Sequence, residues 1–301
     1  MAYQCAKCGD IYQQPTADFF CTTCGYDGLL VEVNSSSSGA PTNFSPTVTD
    51  AGLCILLMDA SGSMHDPAFP GSPLSKLRLI AVSAALGIFG KNDPDPSKSV
   101  AGLQQLGKAD SAYICALKFD HRVEQMFFCS VKDLLAKYAN HEEFANYLYN
   151  ELNEMRGTTD INGALKAADS FAQAFRNNSI PGLTNYSVME HIVYTRAGET
   201  KNVPNIRVLM YTDGIQYTGD HTEPLYNPFG SWDTDVLMGA FFGQPDEEGC
   251  SELRSVLSKC PSHGFEQFFL LDHPSKTAQI RKLFRMASGA SGFCPLCLPK
   301  E

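Results

Sequence analysis

The stretch LCILLMDASGSMHD, residues 53 to 66, constrains the fold more than any other part of the chain. Leu53 to Met58 is a wholly aliphatic run, the length and character of a strand covered on both faces, and far too short to span a membrane. The chain then leaves its apolar surroundings at once and presents Asp59, Ser61 and Ser63 around a glycine. In open α/β sheets, ligands bind beyond the carboxyl ends of the strands. A central strand here therefore delivers its oxygens to a binding edge.

Four further runs carry the same signal: AYICALKF (112–119), IRVLMY (206–211), VLMGAFF (236–242) and FEQFFLL (265–271). Helical periodicity fills the spaces between them. One set is Leu77, Ile80, Ala81, Ala84 and Ile88; a second, after Asn140, runs from Phe144 to Met155; a third runs from Ile161 to Phe175; the last two are Leu253, Val256 and Leu257, then Ile280, Leu283, Phe284 and Ala287. Strand alternating with helix predicts an α/β fold, a doubly wound and mostly parallel sheet. HRVEQMFF (121–128) follows the second strand with too short a gap for a crossover helix, so it should return as an antiparallel edge strand. Residues 91–110 and 177–205 interrupt the alternation with Pro, Asn, Ser and Gly and read as surface loops.

With 301 residues, 44% of them hydrophobic, the chain can bury one large core and carry a small appendage. The appendage is at the start. Cys5, Cys8, Cys21 and Cys24 form C-x2-C-x12-C-x2-C, and Gly9 and Gly25 follow the knuckles and let the backbone turn around an ion. Residues 1–33 are too few to fold on apolar area alone, whereas structural Zn2+ supplies on the order of 10 to 16 kcal/mol in metal-folded peptides. This segment resembles a zinc ribbon. It holds Lys7 against Asp10, Asp18, Asp27 and Glu32, a charge that favours docking to protein over nucleic acid. Residues 34–50, rich in Ser and poor in large apolar groups, read as a flexible tether.

The eleven cysteines are odd in number and six sit in Cys-x-x-Cys pairs, which points to metal in a reducing compartment and a cytoplasmic protein. No basic start followed by an apolar stretch opens the chain, so no signal peptide is expected. A net charge of -10 makes nucleic acid and acidic membranes poor partners.

Carboxylate and hydroxyl oxygens without His or Cys among them suit a hard cation, Mg2+ first, with Mn2+ or Ca2+ as alternatives. RGTTDINGAL (156–165) offers Thr158, Thr159 and Asp160 at a helix start, and VLMYTDGI (208–215) offers Asp213 at a strand end. DASGS, GTTD and YTDG, in this order, resemble the motifs of a von Willebrand factor A domain with a metal-ion-dependent adhesion site (MIDAS). The likeness begins at residue 51 and takes in RMASGASGF near the end of the chain, so the domain is drawn at 51–297. The resemblance implies that Ser61, Ser63 and Thr159 place hydroxyls on the metal and that Asp59 and Asp213 hold it directly or through water. Thr158 departs from the pattern, standing where the family usually has glycine, and puts the loop's geometry in question.

Neutral hydroxyls leave such an ion electron-poor, with a position open to a carboxylate from another molecule. The function expected is therefore that of a non-enzymatic adaptor or scaffold gripping an Asp or Glu of a protein partner, with the zinc ribbon as a second docking module. Similar pairs of modules serve larger assemblies, including bacterial kinase and phosphatase signalling sets. One alternative is a Mg2+-dependent hydrolase using Asp59, Asp213 and His65; another is a structural subunit of an assembly. Tyr217, Tyr226, Phe229 and Trp232, in the 217–235 insertion after Asp213, have the profile of a partner-specificity loop or of a loop packing its own aromatics. Cys294 and Cys297 form a further pair, which could bind a second zinc with Cys250 and Cys260 or remain plain thiols.

Overall fold

Side chains of a strand alternate between its two faces, so a strand apolar at every position needs cover on both. The computed structural model describes residues 52–91, 94, 112–180, 206–219, 223–226, 235–260, 267–277, 280 and 284, and strand backbone at 2–5, 11–12, 30–33, 191–196 and 199–204. Near the start, β1 (Ala2–Cys5) pairs antiparallel with β2 (Ile11–Tyr12) and β3 (Leu30–Val33) in a three-stranded sheet.

The large sheet begins with β4 (Gly52–Asp59), buried at every position. Leu53, Ile55 and Leu57 enter one core and Cys54, Leu56 and Met58 the other. α1 (Lys76–Phe89) follows, with Ser75 Oγ accepting from the Arg78 amide at 3.2 Å and Gly90, at φ 72°, closing the end. It is apolar nearly all round because it lies under a second helix. Next come β5 (Ala112–Phe119), β6 (Val123–Ser130), a short α2 (Val131–Lys137), α3 (His141–Asn153) capped by Asn140, and α4 (Ile161–Arg176) capped by Asp160. The chain continues through β7 (His191–Arg196), β8 (Glu199–Pro204), β9 (Ile206–Thr212), β10 (Asp235–Phe242), α5 (Glu248–Ser258) and β11 (Phe268–Leu271).

The strand order is β11-β10-β9-β4-β5-β6, parallel throughout except for β6, which runs antiparallel to β5 at the edge. This is the mixed, doubly wound sheet the sequence predicts. Residues of α1 and α3, with Ile280 and Phe284, cover one face; α4 and α5 cover the other. Two features differ from expectation. Residues 177–205, read as a loop, contain the β7–β8 hairpin, with His191 paired to Pro204 and Arg196 to Glu199. α2 was not expected either: seven residues are too few to display a helical period.

From β4 the chain first winds outward through β5 and β6, then returns to build β9, β10 and β11 on the other side. The reversal falls between β4 and β9, the kind of point at which open α/β sheets bind their ligands.

A candidate metal centre at the switch point

Met58 of β4 lies opposite Tyr211 of β9, so Asp59 and Thr212 end the two central strands side by side. Asp59 is completely buried. Its Oδ2 accepts from Thr212 Oγ1 at 2.6 Å and its Oδ1 from the Ser61 amide at 2.8 Å. A 3-10 turn, Gly62–His65, anchored by buried Met64, carries Ser63 toward β9, where its Oγ donates to Asp213 Oδ1 at 2.7 Å.

The third segment arrives between α3 and α4. Asp120, buried just past the end of β5, accepts through its carboxylate from the Gly157 amide at 2.9 Å and the Arg122 amide at 3.1 Å, and its carbonyl accepts from the Asp160 amide at 2.6 Å. The Gly62 amide donates to the Gly157 carbonyl at 3.2 Å, tying the DASGS turn to the GTTD loop. Any side chain at Gly157 would collide with Asp120 and His121. Thr159 pairs with Tyr217 through two backbone hydrogen bonds of 3.0 and 2.9 Å, and its Oγ1 lies against Gly214, 3.1 Å from where a Cβ there would stand. Asp59, Ser61, Ser63, Thr159 and Asp213, predicted from three distant segments, thus gather on one edge. Thr158 sits in ordinary backbone, since among the described residues the only positive φ outside glycine is that of Asn178.

The Asp59 carboxyl is pushed up to about 7, first by burial and then by the Asp213 carboxylate; hydrogen bonds from Ser61 and Thr212 oppose the shift without cancelling it. Ser61 Oγ lies close enough to this carboxyl to lower its pKa, yet it is buried and has no hydrogen bond of acceptable geometry. An orphaned hydroxyl beside a carboxyl that resists ionising is a local deficit of positive charge and of a partner for oxygen lone pairs. A hard divalent cation supplies both, so the donor set fits one. The set is hydroxyl-rich: it has two carboxylates, and no three of His, Cys, Asp or Glu form a metal-binding group among the described residues. One cation of the protein is already there. Lys76 Nζ stands 2.5 Å from Asp213 Oδ2 and 3.3 Å from the Ser63 carbonyl oxygen.

A polar network fixes the neighbouring loops. Gln216, buried, donates through Nε2 to Asp160 Oδ1 at 3.0 Å and accepts through Oε1 from the Asn162 amide at 2.8 Å. Asn162 accepts from the Tyr226 amide at 2.6 Å and donates to the Pro224 carbonyl at 3.0 Å. Tyr217 and Tyr226 are both exposed, Tyr226 beneath the Lys166 ammonium at 5.6 Å. Sequence reading missed Lys76, Asp120, Asn162, Thr212 and Gln216. Thr212 lies inside the quoted YTDG motif and was within reach.

His65 Nε2 meets the Met155 carbonyl at 2.8 Å, while Ser63 Oγ is engaged by Asp213. Cys54, Cys115, Cys250 and Cys260 are buried in the cores. Of Cys5 only the backbone, at the end of β1, is described. Cys8, Cys21, Cys24, Phe229, Trp232, Cys294 and Cys297 lie outside the described residues, as do the linker and residues 95–110.

Fold and edge together define an open α/β domain whose switch point is lined with carboxylate and hydroxyl oxygens. Among solved structures the chain is similar to the von Willebrand factor type A protein from Catenulispora acidiphila, at 12% identity and a TM-score of 0.43 over 79% of this chain and 43% of that one. It is also similar to proximal thread matrix protein 1 from the mussel byssus with a zinc-occupied MIDAS motif (14%, 0.40, 79% and 48%) and to the ArnB paralog VWA2 from Sulfolobus acidocaldarius (13%, 0.39, 77% and 44%). This chain spans less than half the length of each of these proteins. No family model and no curated protein matches the sequence.

Proposed function

We propose that this protein is a non-enzymatic adaptor that binds an Asp or Glu side chain of a protein partner through a divalent cation, Mg2+ in the cell. The observation that carries this is the buried, unpartnered Ser61 hydroxyl beside the raised Asp59 carboxyl. Ser61, Ser63 and Thr159 would offer the ion neutral oxygens, and Asp59 and Asp213 would offset its charge. Bound there, the ion supplies a Lewis-acidic position for an incoming carboxylate. Tyr217, tied to Thr159, and Tyr226, held by Asn162, are exposed and would read the residues around the partner's acid.

The engagement of His65 with a backbone carbonyl and of Ser63 with Asp213 favours binding over hydrolysis. The four N-terminal cysteines would hold Zn2+ in a ribbon that makes a second protein contact, and their pairing favours the cytoplasm. No described helix is long and apolar enough to cross a membrane. The test is a pull-down from source-cell lysate with the full chain in Mg2+, in EDTA, and with Asp59→Ala. A partner captured only with Mg2+ and an intact Asp59 supports the adaptor reading. A partner indifferent to both contradicts metal-mediated binding.

A further inference from the structure

Lys76 occupies the first turn of α1, where the helix dipole favours negative charge and a lysine is electrostatically misplaced. Its side chain nevertheless turns inward, only 15% exposed, and reaches both Asp213 Oδ2 and the Ser63 carbonyl oxygen. Desolvating an ammonium at a helix N-terminus is unfavourable unless a carboxylate compensates, and Asp213, its side chain 2% exposed, is that carboxylate. Asp59 is the second carboxylate of the site, whereas Asp120 and Asp160 have other partners. Asp120 is committed to the Gly157 and Arg122 amides and to His121 Nδ1 at 3.0 Å, and Asp160 to the Gly163 amide and Gln216.

We propose that Lys76 is a built-in counter-charge: by neutralising Asp213 it leaves a divalent ion bound at this edge with one positive charge uncompensated, so that an anionic ligand is required to complete the site. The inference rests on the metal-binding reading above. Two carboxylates alone would balance a divalent ion, and a neutral ligand or water would then serve as well as an acid. With Lys76 present, metal and carboxylate bind cooperatively, each favouring the other by the same factor. The lysine thus weakens the bare metal and strengthens the selection for acid. Loss of its charge has two effects of opposite sign, a pattern that a merely structural lysine does not produce.

The experiment uses the full chain with Mn2+ as metal probe, followed by electron paramagnetic resonance, and acetate as carboxylate probe against chloride at equal ionic strength. In chloride, Lys76→Met should bind Mn2+ about tenfold more tightly than wild type, since a charge within a few ångströms is worth at least that even at high effective dielectric. Acetate should raise the Mn2+ affinity of wild type and raise that of Lys76→Met distinctly less. Lys76→Arg should follow wild type in both. Thermal melting in EDTA checks that each variant folds, and Lys76→Gln takes the place of Lys76→Met if the latter does not. Unchanged or weakened Mn2+ binding by the neutral variant, with wild type binding through Asp59, overturns the counter-charge and leaves the metal site standing. A wild type with no Mn2+ site sensitive to Asp59→Ala overturns both.

Discussion

Among the charged side chains buried at the carboxyl end of the sheet, Lys118 and Asp59 lie one residue out of register on neighbouring strands and are treated in opposite ways. Lys118 of β5, opposite Met58, has its ammonium 3.0 Å from Glu151, 3.1 Å from Glu154 and 3.6 Å from Glu124, and donates to the Glu151 carbonyl as well. Burial works against its charge, but hydrogen bonds and charge from Glu151 and Glu154 outweigh it, and the pKa is raised. Asp59 receives two hydrogen bonds, from Ser61 and Thr212, and a second carboxylate nearby. The protein compensates its buried lysine from its own helices and leaves its buried aspartate in deficit. A charge satisfied within the chain holds the fold together. One left wanting marks where something else must bind.

The widest break between the two would come from Asp59→Asn. A carboxylate against a divalent ion is worth several kcal/mol even at high effective dielectric, so Mn2+ affinity should fall at least ~100-fold. The same isosteric change removes a buried charge, and the metal-free protein should melt higher than wild type at pH 8. Titration calorimetry and thermal melting in EDTA check both; a lower melting point would mean that the Asp59 charge is compensated after all.

Lys118→Met should do the reverse. Removing one member of a buried pair costs about 3–5 kcal/mol, and because Glu151 and Glu154 are partly open to water the loss here should be nearer ~2 kcal/mol. Mn2+ affinity should stay at the wild-type value. A chemical denaturation curve reads the first and calorimetry the second, and a coupled loss of metal would join what the comparison separates.

Acidity sharpens the contrast further. Asp59 in the metal-free fold titrates at about 7, above its ordinary value of 3.8. The folded state therefore holds an extra proton between those values, and the stability this contributes is full at the acid end and lost as pH rises to about 7. The melting temperature of wild type should accordingly fall behind that of Asp59→Asn across this range, with the gap constant above it. Apparent Mg2+ affinity should be level above about pH 7 and decline about tenfold per unit below it, as proton and metal compete for one carboxylate. A profile without a break near neutrality would place the titrating group elsewhere.

The smallest effect is expected at Ser61. Its hydroxyl lies near the Asp59 carboxyl but makes no well-aligned hydrogen bond, so Ser61→Ala should leave metal-free stability within about 0.5 kcal/mol of wild type, whereas loss of a ligand oxygen should weaken Mn2+ about tenfold. A destabilised variant with normal metal affinity would make the hydroxyl a structural group.

The predicted metal ligands were legible because each lies where an apolar element gives way to a short polar turn, Asp59 at the end of β4 and Thr159 just before α4. Their supporting residues were not. Gln216 and Asn162 read as loop and helix-surface residues until Gln216 accepts from the Asn162 amide 54 positions away, and Asp120 reads as a turn residue until the Gly157 amide reaches it from 37 positions on. A buried polar side chain leaves no periodicity in a sequence; only its partner explains it. The β7–β8 hairpin escaped for a related reason: ETKNVP and HIVYTR lack the sustained apolar alternation of a half-buried strand.

By itself, the sequence determined the strands of the large sheet, the antiparallel return of β6, the longer helices and the oxygens that close β4 and β9, since all of these follow from side-chain chemistry within a few residues. Tertiary structure alone decided which charges meet. Thr212 reaches Asp59 across 153 residues and Lys76 reaches Asp213 across 137, because β9 returns to lie beside β4 at the reversal of the sheet. Electrostatic energy depends on separation and burial, and neither is a property of position along the chain.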